Sequence, residues 1–340
     1  MGNILSKNQN IEKKSDENDY SDDNEINKLN KTCKLKKIPY YFSEQIRFNS
    51  FNPVFVAYEV RFKRTYNEKT PRYAIKPISS ESKLEQIKIQ KEFEIMTLLS
   101  GVPNIVPIID SFQLPFRGQN HQFLVMKYYE NTDLFEYIKN KPSMTEDEKC
   151  LIIFQILQIL QSLKLRKIVH NDIKLENFLI DSILPLTIHL TDFGLSEIID
   201  QKSTQFRGTK CFMAPEILNG EPHDYSADIW SLGVNLFLML FNCFPFDYDE
   251  RDMENANMFI ACIEYYELNR PCGKVSDEAW ECVSRMLVKD PSKRITVEEA
   301  LKLNWFRNIE YQKEESKKIA SVYLEEAQSA SKVLSGEMEE

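Results

Sequence analysis

Short runs in which Phe, Val, Tyr and Ile alternate with polar residues begin at about Ile38 and recur at 45–50, 54–63, 73–77, 105–113 and 122–128. A period of two puts one face of each run against a core, so these are predicted strands of an antiparallel sheet. Between the third and the fourth, residues 82–100 carry Leu84, Ile87, Ile89, Phe93, Met96 and Leu99 at helical spacing, which predicts one helix inserted in the sheet. From about Glu130 helical patterning dominates. Its clearest instance follows Ser143-Met-Thr-Glu146, a capping-box pattern, and runs from Leu151 to Leu160 with apolar residues nearly all round, as in a buried helix. Further helices are predicted at 227–242, 253–267, 276–287 and 296–303, with loops at Pro271 and Pro291. The implied class is α+β, a sheet-rich unit over 38–129 followed by a helical unit over 130–308.

The flanks read differently. Residues 1–37 are polar and nearly free of aromatics, with an acidic run from Asp16 to Glu25 followed by Lys28, Lys31, Lys34, Lys36 and Lys37. That is the composition of a disordered arm. Residues 309–340 are rich in Lys and Glu, with Ile319, Val322, Tyr323, Ala327 and Ala330 at helical spacing, which predicts a charged tail helix.

With 42% hydrophobic residues the chain can bury a sizeable core, and 340 residues suit about two domains or one bilobal unit. A net charge of −9 argues against a nucleic-acid coat, which needs a basic footprint. The seven cysteines are scattered without a C-x-x-C pair or zinc spacing, so a reduced, cytoplasmic chain is expected. The longest apolar stretch, Val234 to Phe246, is short for a membrane span and contains two asparagines.

The segment His170-Asn-Asp-Ile-Lys-Leu-Glu-Asn177 is followed by Asp192-Phe-Gly194, Ala214-Pro-Glu216, Asp228-Ile-Trp-Ser-Leu-Gly233 and Asp290-Pro-Ser-Lys-Arg294. A lone Asp-Phe-Gly would mean little, but the ordered set resembles the protein kinase superfamily over about residues 40 to 308. The resemblance implies a bilobal fold, ATP and Mg²⁺ as cofactors and a protein substrate. Phosphoryl transfer needs positioning and positive charge more than covalent chemistry. In that frame Asp172 orients the acceptor hydroxyl and Lys174 meets the transferred phosphoryl group, while Asn177 and Asp192 are hard oxygen ligands for the metal. Lys76 is the strand lysine for the α- and β-phosphates. Its partner is Glu92 or Glu94, with Glu92 preferred from the apolar residues four and seven positions later. Ile46, Val54 and Ala74 cover the adenine, Leu179 lies beneath it and Met126 stands at the back. Tyr128 lies in the strand linking the lobes, and Asp133 bonds the ribose.

Two positions depart from the family pattern. The phosphate-covering loop reads Arg47-Phe-Asn49-Ser-Phe-Asn52, with no glycine at any of its three usual places, so weaker or differently shaped nucleotide binding is expected. Asn171 replaces the arginine that usually meets a phosphorylated activation loop, so a loop ordered without phosphate is expected.

Lys174 and Thr209 resemble serine/threonine kinases, and the stretches 172–179, 225–231 and 295–300 look most like the calcium/calmodulin-dependent group. The stretch 123–138 also resembles replication-initiating cell-division kinases. Glu176 and Asp133 match carboxylates that select basic sequences upstream of the acceptor, and Glu216 and Arg294 are expected to form a structural buried pair. In the calcium/calmodulin-dependent group the tail is often a regulatory segment, which makes 316–334 a candidate partner site. Met1-Gly2-Asn3-Ile4-Leu5-Ser6 fits N-myristoylation, with the five lysines or acylated Cys33 as a second, peripheral membrane signal. The rival readings are a pseudokinase scaffold and a small-molecule kinase. A monomer is expected.

Overall fold

The structure, a computed structural model, describes residues 22–46, 53–60, 70–200, 202–246, 256–265 and 267–309. In chain order the first half holds α1 (Asp22–Lys36), β1 (Tyr40–Ile46), β2 (Val54–Glu59), β3 (Tyr73–Ser79), α2 (Lys83–Leu98), β4 (Ile108–Phe116) and β5 (Gln119–Lys127). Then come α3 (Leu134–Lys139), α4 (Glu146–Lys164), β6 (Ile168–Val169), β7 (Phe178–Ile183), β8 (Leu186–Leu190) and β9 (Glu197–Ile198). The described residues close with α5 (Pro215–Leu218), α6 (Ser226–Phe241), α7 (Ala256–Tyr265), α8 (Asp277–Met286) and α9 (Val297–Ala300).

The first five strands form one antiparallel sheet in the order β1-β2-β3-β5-β4. Alternation along β3 sets its two faces: Ile75 is buried on the outer side among Phe42, Phe55 and Phe123, so Ala74 and Lys76 face the other way. The first strand covers 40–46 rather than the expected 45–50, because Phe42 and Tyr40 supply its buried positions. α2 is closed by a capping box of Ser82 and Glu85.

The arm expected to be disordered up to residue 37 is helical from Asp22 to Lys36. Its composition is polar overall, but Ile26, Leu29 and Cys33 share one face and are buried against Phe42, Leu114 and Phe116. Asn30 reinforces the contact: its amide donates to the carbonyl of Phe42 (3.0 Å) and its side-chain oxygen accepts from the Phe42 N–H (2.8 Å). Acylation of Cys33 conflicts with this packing, since the residue is 1% exposed and burial pushes its thiol up to about 11.

The helical lobe is built on α4 and α6. The N-cap of α4 is Thr145, not Ser143: the Thr145 hydroxyl accepts from the Glu148 N–H and the Glu148 carboxylate accepts from the Thr145 N–H. Glu146 is thereby released to accept from the Ser276 N–H (3.0 Å) and the Trp305 indole (3.1 Å), anchoring the C-terminal elements. In α4, Ile152, Ile153, Ile156, Leu157, Ile159 and Leu160 are buried, each worth about 1.5–3 kcal/mol of hydrophobic stabilisation. Gly233 lets α6 approach α8, since a Cβ there would lie 2.8 Å from that of Met286. Two short sheets, β7-β8 and β6-β9, stand where helix was expected to dominate. Among the described residues no helix is long and apolar enough to cross a membrane. The glycine-free loop, Gly2 and the tail after residue 309 lie outside the described residues.

Candidate active site

A cleft opens between the sheet and the helical lobe, and each wall has a structural reason. Val54 and Ala74 line it from the sheet, Met126 from the register position opposite Ala74, and Leu179 from β7 below. Ile46 ends β1 opposite Val54 and is not among the residues lining the cleft. Tyr128 follows β5 and carries the Arg72 guanidinium over its ring at 4.9 Å. Asp133 is buried, and its Oδ1 accepts from the Glu136 N–H (2.9 Å) as the N-cap of α3. It is not among the residues lining the cleft.

Lys76, carried inward by β3, places Nζ 2.9 Å from Asp192 Oδ1 and 3.6 Å from Glu92 Oε1. Burial alone would lower the Lys76 pKa, but the Glu92 and Asp192 carboxylates outweigh it and raise it. Glu92 is buried on the inner stripe of α2 with Ile89, Ile95 and Met96, whereas Glu94 is exposed and accepts from Gln90. Burial raises the Glu92 carboxyl, with Lys76 opposing the shift.

The catalytic loop is fixed from below. Buried Asp228 on α6 accepts from the backbone N–H groups of His170 (2.8 Å) and Asn171 (2.9 Å). Asn235 adds a hydrogen bond from its amide to the Ile173 carbonyl (3.0 Å). Asn171 sits at φ 66°, a region asparagine tolerates, and its amide donates to the Leu195 carbonyl (3.1 Å). On this platform Asp172 Oδ1 accepts from the hydroxyl (2.7 Å) and N–H (3.0 Å) of Thr209, and Lys174 Nζ lies 3.0 Å from Asp172 Oδ2. Lys174 also donates to the Thr209 hydroxyl (2.9 Å). Burial would raise the Asp172 carboxyl, but Lys174 and Thr209 together hold it below its ordinary range.

Asn177 directs its amide nitrogen back to the Asp172 carbonyl (2.8 Å). Among the described residues no cluster of three His, Cys, Asp or Glu forms an all-protein metal cage. Asn177 and Asp192 instead bring one amide and one carboxylate to the cleft. That sparse oxygen set fits Mg²⁺ shared with phosphate oxygens, since this cation is usually held by one or two carboxylates plus substrate. Thr209 is the functional side chain that residue-by-residue reading left out of the site. Its signal was present in the sequence, a hydroxyl after Gly208, but only the folded segment brings it to Asp172. Outside the cleft, Glu216 and Arg294 form a bidentate pair at 2.7 and 2.9 Å, wholly buried.

The protein kinase domain model matches residues 59–306. The chain is 34% identical over 235 residues to calcium-dependent protein kinase 3 of Plasmodium yoelii yoelii, covering 68% of this chain and 42% of that protein. It is 32% identical over 243 residues to death-associated protein kinase 2 of Mus musculus (70% and 64%). It is 33% identical over 227 residues to the SNF1-related protein kinase catalytic subunit alpha KIN12 of Arabidopsis thaliana (66% and 43%). The matched region thus spans between 42% and 64% of the length of these relatives. With Lys76, Asn177 and Asp192 lining one interlobe cleft of the expected two-lobed architecture, and Asp172 bonded to Lys174 and Thr209 in its wall, the chain belongs to the eukaryotic protein kinase superfamily, with serine/threonine kinases as its relatives.

Proposed function

We propose that this chain transfers the γ-phosphate of Mg·ATP to serine or threonine hydroxyls of proteins. The observation that carries the reading is the meeting of Lys76, Glu92 and Asp192 from three separate elements, beside the Asp172–Lys174–Thr209 cluster. Mg·ATP, when bound, supplies the electrophilic phosphoryl group and the charge-neutralising metal ion. Lys76 offers a permanently charged donor to phosphate oxygens, and Asn177 and Asp192 offer the metal ligands. Asp172 accepts a hydroxyl proton in a hydrogen bond, as it does with Thr209. A carboxyl held below its ordinary range is a weak base, so its main role is to orient the acceptor, which suffices for a loose phosphoryl-transfer transition state. Lys174 adds positive charge where the transferred group passes.

Glu176 lines the same cleft and supports selection of basic sequences, with Asp133 committed to its cap. The lysines of α1 are exposed and support peripheral attachment at a cytoplasmic membrane surface alongside Gly2 acylation. A tail-bound regulatory partner and a monomeric state complete the proposal. Incubation of purified protein with labelled ATP and a peptide array, beside Asp192→Asn, tests it. Transfer by the wild type that is lost in the variant supports the proposal, and no transfer by either favours the scaffold reading.

A further inference from the structure

Asn171 uses its amide on the Leu195 carbonyl and carries no positive charge, so some other group must order the segment from Asp192 to Pro215. Glu197 on β9 is placed to do so. Its Oε1 lies 3.0 Å from Lys91 Nζ on α2, and its other carboxylate oxygen accepts from the Ser203 hydroxyl. Its backbone pairs with Val169, immediately before the catalytic loop. Ser203 is buried and is itself clamped by two backbone hydrogen bonds with His223, each 2.8 Å. One residue therefore joins the helix of the small lobe and the activation segment through its carboxylate, and the strand leading into Asp172 through its backbone.

Lys91 adjoins Glu92, and successive helix residues point roughly 100° apart. Two neighbouring tethers, Glu92 to Lys76 and Lys91 to Glu197, fix both the position of α2 and its rotation about its axis. We infer that Glu197 is a positioning residue that holds Glu92 against Lys76 and orders the activation segment without a phosphate. Burial would raise the Glu197 carboxyl, but Ser203, Lys91 and Arg207 more than offset this and keep it ionised. The inference rests on the phosphotransfer reading only for its kinetic arm.

The test compares wild type, Glu197→Gln, and the charge swap Lys91→Glu/Glu197→Lys by steady-state kinetics and by amide hydrogen exchange across Lys83–Leu98. Glu197→Gln keeps the side-chain shape and should lower kcat about tenfold and speed exchange in α2 by a similar factor, the usual coupling within one network. The swap should recover both to within about threefold, a rescue that a merely structural role would not give. Exchange in Glu197→Gln matching the wild type, or a swap no better than the single variant, overturns the inference. An inactive wild type would count against phosphotransfer alone, because the exchange comparison still decides the role of Glu197.

Discussion

Arg117 grips Glu25 through two hydrogen bonds, Nε to Oε1 at 2.8 Å and Nη2 to Oε2 at 3.0 Å, and so ties the β4–β5 turn to α1. The pair borders the apolar face of α1, where Leu29 is 3% exposed. Truncating Leu29 to Ala should cost about 2–3 kcal/mol in urea unfolding. Leu29→Asp should release the helix, so that Cys33, slow to alkylate in the wild type, reacts at the rate of exposed Cys272. Cys33 labelling in the wild type as fast as that of Cys272 would show that α1 is not docked.

The carboxyls of the cleft give stability a definite pH dependence. Burial opposes ionisation of Asp192, yet Lys76 wins and holds its carboxyl low, as Lys174 and Thr209 do for Asp172. A lowered carboxyl stabilises the fold above its unfolded value, about 3.9, and that contribution disappears as pH falls through the folded value. Raised Lys76 contributes below about 10.4 and loses its contribution as pH rises through its folded value. Raised Glu92 acts in the opposite sense to Asp192, favouring the fold when protonated and losing that advantage as it ionises. Unfolding free energy should therefore fall more steeply below about pH 4 in the wild type than in Asp192→Asn. Parallel acid limbs would refute the assignment.

Activity should not need a phosphate on the exposed activation loop. Thr204 is exposed and Asn171 offers no guanidinium to a phosphate there. Thr204→Ala should retain kcat/KM within about twofold, the usual range for a surface change away from a network. A loss of activity in Thr204→Ala that parallels loss of loop phosphate in the wild type would reverse this conclusion.

The long apolar helices made the helical lobe legible through burial, whereas most of the cleft was legible only through the family resemblance that the ordered loop motifs carry. Within that resemblance, Met96 and Leu99, four and seven positions later, favoured Glu92 over Glu94. The helix α1 was hidden because its apolar contribution to the core among the described residues is Ile26, Leu29 and Cys33, too few to outweigh its lysines in a compositional reading. The β7-β8 hairpin alternates at Phe178, Ile180, Leu186, Ile188 and Leu190, a period of two too short to stand out within a unit whose patterning is mostly helical. Lys91–Glu197 and Thr209–Asp172 are long-range contacts, and no local pattern encodes such pairs.

Gly208 stands at φ +119°, and a Cβ there would lie 2.4 Å from the Asn171 carbonyl oxygen. That backbone oxygen cannot retreat, because Asp228 holds the loop from the other side. Gly208→Ala should cost about 1–3 kcal/mol and displace Thr209 from Asp172, lowering kcat well over tenfold. Gly118→Ala is the control: its φ of +81° gives strain of about 1 kcal/mol, but the space is open and the cleft is distant, so kcat should hold. Equal kcat for the two variants would separate Gly208 from catalysis.

Arg294 shows why charge alone does not define a buried pair. Its Nε donates to the Val288 carbonyl (2.9 Å), and Nη1 donates to Glu216 (2.7 Å) and the Ser226 carbonyl (2.8 Å). Nη2 donates to Glu216 (2.9 Å) and the Lys289 carbonyl (3.2 Å), so every N–H of the guanidinium has a partner. Lysine has three donors on one nitrogen and cannot reach this fan of acceptors, so Arg294→Lys should approach the cost of breaking the pair outright, about 3–5 kcal/mol. Removing only one partner leaves a buried charge, whereas Glu216→Met/Arg294→Met removes both and should recover a large part of the loss. A double variant as unstable as the sum of its single changes, read by urea unfolding of the wild type, Glu216→Met, Arg294→Met and the double variant, would show instead that the carbonyl acceptors, not the carboxylate, dominate this brace.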